Sequence, residues 1–243
     1  MNAISISLKT WGDFACFTAP EMRVERVSYP VMTPSAARGI LEAIFWKPEI
    51  RYEVDEIAVL KEIQFVSVRR NEIQDTISTQ AIARWQKNPE SFKPYLVDRT
   101  ENDGKDPGKK KATNNRAQRN SVILRDVAYV ISARLIVKNP TQEDNPQKYR
   151  EMFTRRVDSG QCFRQPCFGI REYAAHFDEP EGNEMPIAET RELGIMLYDL
   201  DFGPAAAKGI YPGKTALFAP ARLENGVLNV AQMRSNLFRK VQP

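Results

Sequence analysis

Histidine is almost absent from this chain: 243 residues contain one, His176. Cysteine is scarce too, with only Cys16, Cys162 and Cys167. The count is odd, and Cys162-x4-Cys167 has no second pair to match it. Neither a disulfide framework nor a zinc-type cluster is expected, and a reducing cytoplasm is the expected setting. The Gly213-Lys214-Thr215 triplet lacks the GxxxxGK frame, so a phosphate-binding P-loop is excluded. Paired carboxylates of the metal-binding kind are missing as well. Asp199 and Asp201, the nearest thing to such a pair, are expected to face solvent or a basic neighbour. No apolar run approaches 18 residues and no apolar signal segment opens the chain, so no membrane span is expected. No metal and no cofactor is called for.

Hydrophobic residues make up 42% of the chain, enough for a core, and the net charge is only +4. The distribution of charge says more than its sum. Lys105 to Arg125 holds seven Lys/Arg against Asp106 alone. Lys148 to Arg171 holds six against Glu151 and Asp158, and Lys208 to Lys240 six against Glu224. One basic run is commonly a solvated face. Three separated runs in a small protein favour a phosphate backbone as partner.

Tyr29 to Trp46, YPVMTPSAARGILEAIFW, is the best-defined element. Thr33 suits an N-cap and Pro34 the first helical position. Ala37, Ile40, Leu41, Ile44 and Phe45 then form one apolar stripe. Gly39 costs such a helix about 1 kcal/mol; it is either a tolerated imperfection or a place where something large comes close. Before this helix, Ile4 to Phe17 reads as a strand broken at Trp11-Gly12-Asp13. After it, YEVDEIAVL and IQFVSV are two strand-like runs or one bent strand. Ser121 to Val137 is one long strand or a strand pair, Asn145 to Arg156 a helix, and Ile170 to Phe177 a strand.

Between these halves, Glu72 to Ser121 differs in kind. It carries Pro89, Pro94, Pro107 and the patch NDGKDPGKKKATNNRAQRN, and Asn102 to Asn120 is expected to be mobile without a partner. Trp85 and Phe92 nearby either stack bases or anchor this insertion to the core. The order strand, helix, strand, basic insertion, strand, helix, strand predicts an α+β fold. Its core is ferredoxin-like (RRM-type), over residues 1–178, with a long basic insertion at about 72–121 in the second hairpin. Residues 179–243 restart as a small C-terminal β-sheet domain, with a strand from Leu193 to Phe202 and a hairpin at Glu224-Asn225-Gly226.

WGDFACFTAPEMRVERVSYPVMTPSAARGILEAIFWKP, from Trp11 to Pro48, resembles the N-terminus of the CRISPR-associated Cas-five proteins, in the d-variant of subtype I-C systems (the RAMP superfamily). Glu62 to Ile73, Gln118 to Ala133, FTRRVDSGQCFRQPCFGIREYAAHF and Leu193 to Phe202 extend the resemblance over most of the chain. It implies a cytoplasmic subunit of the type I-C interference (Cascade) complex that binds the repeat-derived 5′ handle of CRISPR RNA. It also implies cleavage of the precursor RNA within the repeat, without metal, by attack of a 2′-hydroxyl on the adjacent phosphate. That reaction needs a base, a cation for the developing phosphorane charge and an acid for the leaving 5′-oxygen. The implied partners are precursor and mature CRISPR RNA, Cas-seven backbone subunits, the large subunit, and target DNA within the complex.

The family's triad is tyrosine, lysine and histidine. Its tyrosine ends the first helix in IYWKP, where this chain has Phe45. Its lysine and histidine open the second helix as GKH, where this chain reads NPQKY. One alignment puts Gln147 and Lys148 on that pair; a shift of one residue puts Lys148 and Tyr149 there. Lys148 is the candidate cation, with Tyr149 or Tyr29 supplying a hydroxyl; otherwise the subunit only caps the guide. A phenol ionises near pH 10, so Tyr149 would need cationic neighbours on this basic helix to act as a base. The candidate RNA-binding set is Arg23, Arg26, Arg38, Arg69, Arg70, Lys109, Lys110, Lys111, Arg116, Arg119, Arg155 and Arg156. Arg23 and Arg26 could instead pair with Glu21 and Glu25. His176 matches no catalytic position.

Overall fold

The computed structural model describes residues 2–74, 76–92, 116–141, 144–201 and 215–239. Two compact units divide the chain: Met1–Val66 with Val122–Pro243, and Ser67–Ser121. The elements in chain order are β1 (Ala3–Ala15), α1 (Pro34–Ile44), β2 (Ile50–Val59), β3 (Gln64–Ile73), α2 (Thr79–Lys87), β4 (Arg116–Val137) and α3 (Pro146–Asp158). They continue with β5 (His176–Asp178), β6 (Arg191–Asp201), β7 (Thr215–Glu224), β8 (Val227–Asn229), α4 (Val230–Ser235) and β9 (Phe238–Arg239).

The fold is mixed α+β around a mainly antiparallel sheet of order β5-β1-β4-β2-β8-β7-β6, with β3 on β4 and β9 on β7. β4 is its central strand, a single run of 22 residues. β1 lies antiparallel along it from Ala3 opposite Ile136 to Ala15 opposite Leu124. β2 lies along the other side, from Ile50 opposite Val137 to Val59 opposite Tyr129. β1 runs unbroken through Trp11 and Gly12, opposite Ala128 and Val127, and the expected irregularity falls at Asp13. There the ladder passes from Gly12 to Phe14, Asp126 on the facing strand has φ 50°, and the in–out alternation shifts with Asp13 and Phe14 both exposed. The strand expected over Ile170 to Phe177 shrinks to β5, because Phe168 turns back to take the Tyr173 carbonyl and gives its own to Cys16 at the end of β1. The segment after residue 178 joins the same sheet, since β8 pairs with β2 through Glu56–Asn229, Ile57–Leu228 and Ala58–Val227. Its hairpin turn holds Asn225 and Gly226 at φ 46° and 76°, the positive pair a type I′ turn needs.

α1 forms as the local pattern demands. The Ala36 amide donates to Thr33 Oγ1 at 3.3 Å, and Pro34 takes the first position. Ala37, Ile40, Leu41 and Ile44 are buried in the core with Leu8, Ile57, Ile131 and Leu135. α3 buries Tyr149, Phe153 and Val157 in the same core, the 4-residue spacing of one helix face. The two helices meet where the Phe45 ring stands 6.4 Å from that of Tyr149. Tyr52 on β2 donates its buried hydroxyl to the Phe45 carbonyl at 2.7 Å, which fixes the end of α1.

In the unit Ser67–Ser121, α2 starts on a Ser78 cap, with the Ala81 amide donating to Ser78 Oγ at 3.1 Å. Trp85 and Phe92 pack edge-to-face at 5.1 Å. Arg116 to Asn120, expected as part of a mobile patch, belong to β4. Among the described residues no helix is long and apolar enough to cross a membrane.

Candidate functional site

The junction of α1 and α3 gathers the chemistry. Asn145 caps α3, its side chain accepting the Lys148 amide at 2.9 Å, and Pro146 follows at the first helical position. One residue earlier, Asp144 is held by a turn: its amide donates to Thr141 Oγ1 at 2.9 Å, and its carbonyl accepts the Thr141 amide at 3.0 Å. The Asp144 carboxylate then receives two donors on one oxygen. Lys148 Nζ donates to Asp144 Oδ1 at 3.0 Å and the Tyr149 hydroxyl at 2.9 Å. Lys148 Nζ also stands 5.7 Å from the centre of the Tyr149 ring.

Exposure sets the roles. The Tyr149 ring is buried, at 3%, while the Lys148 side chain is 47% exposed and can meet a ligand. Burial, then the hydrogen bond to Asp144, pushes the Tyr149 phenol up to about 12. The expected cationic assistance is therefore outweighed, and the Tyr149 phenol stays protonated through the neutral range. Lys148 first, then Tyr149, holds the Asp144 carboxyl below its ordinary range, with Lys47 adding to the effect. A carboxylate with a lowered pKa contributes stability above its unfolded value of about 4, and loses it as pH falls through the lowered one. The cluster is thus intact through the neutral range.

A tyrosine-selective 13C NMR titration tests this electrostatic picture. The Tyr149 ring carbon should still report a neutral phenol at about pH 10.5, where an ordinary tyrosine is mostly ionised. Asp144→Asn should bring its midpoint down, because the negative neighbour is gone. An ordinary midpoint in the wild type would refute the assignment of the Asp144–Tyr149 bond.

Around this centre, Phe45 occupies the end of α1 without a hydroxyl. The Arg156 guanidinium stands 5.4 Å over its ring and donates to the Ile44 carbonyl at 3.0 Å. Trp46, 52% exposed, and the exposed Lys47 continue the chain beyond it. Tyr29, the other candidate hydroxyl, is engaged elsewhere: it is buried and accepts the Leu197 amide of β6 at 3.2 Å. Gln147 donates to Glu151 one turn on. His176 stacks on Trp11, ring centres 5.9 Å apart.

Several of the candidate basic residues are already engaged by other side chains. Arg38 is bound bidentately by Asp199, at 3.0 and 2.8 Å, and by Glu42 at 2.6 Å. Burial opposes its charge, but the two carboxylates outweigh burial and keep the guanidinium ionised. Asp199 thus faces a basic neighbour, as its position suggested. In the unit Ser67–Ser121, Arg69 donates to Asn120 at 3.4 Å, while Arg70 and Arg119 both pair with Glu72, at 3.2 and 3.3 Å. The Arg116 carbonyl accepts from Gln74. Arg23 and Arg155 are exposed, and Arg26 offers its carbonyl to the Val122 amide. Lys109, Lys110 and Lys111 lie outside the described residues. Among the described residues no three His, Cys, Asp or Glu side chains gather as a metal site.

Sequence reasoning passed over Asp144. Its signal was present: it stands four residues before Lys148, the spacing of a helical ion pair, directly ahead of an Asn-Pro helix start.

Comparisons with known proteins converge on one family. The family described as CRISPR-associated protein (Cas_Cas5), in its Cas5d form, matches residues 5–231. The chain is 45% identical over 233 residues to the CRISPR pre-crRNA endoribonuclease Cas5d of Mannheimia succiniciproducens, covering 93% of this chain and 94% of that one. It is 38% identical over 246 residues to the CRISPR pre-crRNA endoribonuclease Cas5d of Thermus thermophilus, covering 96% and 95%. A crystal structure of a CRISPR-associated protein superposes with a TM-score of 0.64 at 19% identity over 99% of both chains, a likeness of fold alone. This chain belongs to the Cas5 family of CRISPR-associated proteins, in its Cas5d group.

Proposed function

We propose that this chain is a pre-crRNA endoribonuclease that cuts the repeat of precursor CRISPR RNA and keeps its product within an interference complex. The observation that carries the chemistry is the Lys148–Asp144–Tyr149 cluster, set against Phe45 where α1 meets α3. Relatives named for this activity match it over more than nine-tenths of both chains. In the reaction the 2′-oxygen forms a bond to phosphorus and the bond from phosphorus to the 5′-oxygen breaks. A cyclic phosphate and a 5′-hydroxyl result. Lys148, exposed and cationic, stabilises the negative charge that grows on the phosphorane. Tyr149, held neutral, donates toward the leaving 5′-oxygen. Asp144 keeps both donors in place and gives up its share of Lys148 to the phosphate. The proton of the attacking 2′-hydroxyl passes to solvent water, and positioning of that hydroxyl in line supplies much of the rest of a single-turnover cut.

The wider reading follows the same line. A ferredoxin-like, RRM-type core is supported by the order β5-β1-β4-β2, with α1 and α3 as its two crossing helices. Assembly in a subtype I-C complex with Cas-seven subunits, a large subunit, CRISPR RNA and target DNA rests on family membership. Arg23, Arg26, Arg69, Arg70, Arg116, Arg119, Arg155 and Arg156 are proposed phosphate contacts, as are Lys109 to Lys111; Arg38, held by Asp199 and Glu42, is left out of that set. Replacing Lys109, Lys110 and Lys111 together by alanine should flatten the salt dependence of RNA binding, and an unchanged slope would place them on an idle surface.

One observation favours a second reading. Phe45 lacks the hydroxyl of the family's IYWKP motif, and a subunit without cleavage would still cap the guide RNA. Incubation of repeat hairpin RNA with saturating protein in EDTA separates the two. Cleavage that stops with a 2′-deoxy substitution at the cut site establishes the nuclease. Tight, salt-dependent binding without cleavage leaves the capping role, and no preference for the hairpin over random RNA defeats both.

A further inference from the structure

A cleft of about 760 Å3 lies along α1 in the same unit as the Lys148 cluster. Its floor is the helix stripe Ser35, Gly39 and Ala43, residues four apart on one face. β6 forms one wall at Leu197 and Asp199; the segment holding Arg164 and Arg171 forms the other. That second wall is fixed to the helix, since the Phe163 and Arg164 amides both donate to the Ala43 carbonyl, at 2.9 and 3.1 Å.

Two features of the cleft have no role in holding the protein together. The first is Gly39. A Cβ placed there meets nothing within 4 Å, so no neighbour requires its absence. The residue nevertheless carries the usual cost of a mid-helix glycine. Its effect is a floor bared to the cleft. The second is the pair Arg164 and Arg171, both exposed and without an ion pair among the described residues. Both charges act on the Cys167 thiol, which burial pushes up and they pull back, so they share one corner. Arg38 in the same cleft is already neutralised by Asp199 and Glu42.

We propose that this cleft seats the single-stranded RNA next to the cut site, its backbone lying over Gly39 and its phosphates on Arg164 and Arg171. Arginine suits this task, because its planar donor fork matches phosphate oxygens. A bare helix surface lets a sugar–phosphate chain approach closely. Gly39 and Phe45 are six residues apart, about 9 Å along the helix, so one rigid element joins the cleft to the Tyr149 cluster. The assignment rests on the RNA-cleavage reading above and adds where the strand runs.

The test uses the full chain. Gly39→Ala controls for folding: it relieves the helix without touching a neighbour and should raise Tm by about 2–4 °C. Gly39→Leu and Gly39→Glu should fold with Tm at or above wild type, yet bind a repeat RNA bearing its single-stranded flank about tenfold or more weakly. The Arg164→Ala/Arg171→Ala double variant should weaken the same binding and lower the log–log salt slope by about 1.4, the value for two phosphates on a single strand. Hairpin RNA lacking the flank should respond to neither change. Wild-type affinity and slope in the Gly39→Glu and double-arginine variants, with wild-type cleavage in hand, overturn the cleft assignment and leave the nuclease standing. Loss of binding to a free nucleoside monophosphate with RNA binding intact also overturns it, in favour of a small-ligand site. A wild type that neither binds nor cuts repeat RNA removes the cleft assignment together with the reading beneath it.

Discussion

Lys148→Ala is expected to lower the single-turnover rate of repeat-RNA cleavage by about 10²–10³-fold, the usual effect of removing one donor to a developing oxyanion. Binding should change little, because one exposed cation among many contributes a small part of the phosphate attraction. Saturating protein makes the rate independent of affinity, so the chemical step is read directly. Lys148→Arg should recover part of the rate, since charge is kept while geometry changes. Tyr149→Phe keeps the ring that packs on Phe45 and removes only the donor; a loss of about 10²-fold is expected for a general acid. Asp144→Asn separates positioning from charge. It should slow the chemical step while RNA affinity holds or rises, because a carboxylate no longer competes with phosphate for Lys148. Equal cleavage by wild type and Lys148→Ala would remove Lys148 from the mechanism.

The largest effect on stability is expected at Gly169, directly after the fully buried Phe168. Its φ is +82°, and a Cβ there would sit 2.0 Å from the Cys16 carbonyl oxygen and 2.6 Å from its carbon. Those atoms are backbone at the end of β1, tied to the same loop by the bond from the Cys16 amide to the Phe168 carbonyl at 3.0 Å. They cannot turn aside as a side chain would. Gly169→Ala should therefore destabilise the protein by about 2–5 kcal/mol, combining backbone strain with overpacking. Gly182 supplies the control: its φ is also +82°, with nothing within 4 Å of a Cβ. Gly182→Ala should cost only about 1–2 kcal/mol, the left-handed penalty by itself. Urea unfolding of both variants reads the difference, and equal losses would show that contact with Cys16 contributes nothing.

The sequence by itself determined what is written in neighbouring residues. α1 was legible because its cap, its proline and its apolar stripe all lie within Thr33 to Phe45. The same holds for α3 from Asn145 and for the Asn225-Gly226 turn. Hydrogen bonds to the next turn and side-chain periodicity are short-range, so they leave a mark on local sequence. The family, too, was legible, since its motifs are contiguous. Tertiary structure decided the rest. Arg38 reads as a free cation until Asp199, 161 residues away, takes its guanidinium. Strands beyond residue 178 read as a separate sheet until β8 pairs with β2. Tyr149 reads as a phenol among cations until packing buries its ring and its side-chain conformation brings the hydroxyl to Asp144, which together raise its pKa. The first two depend on which side chains distant segments bring together; Asp144 is only five residues from Tyr149, and what the local sequence does not show there is the packing that buries the ring. Desolvation and long-range pairing belong to the packed molecule, and no window of the chain encodes either alone.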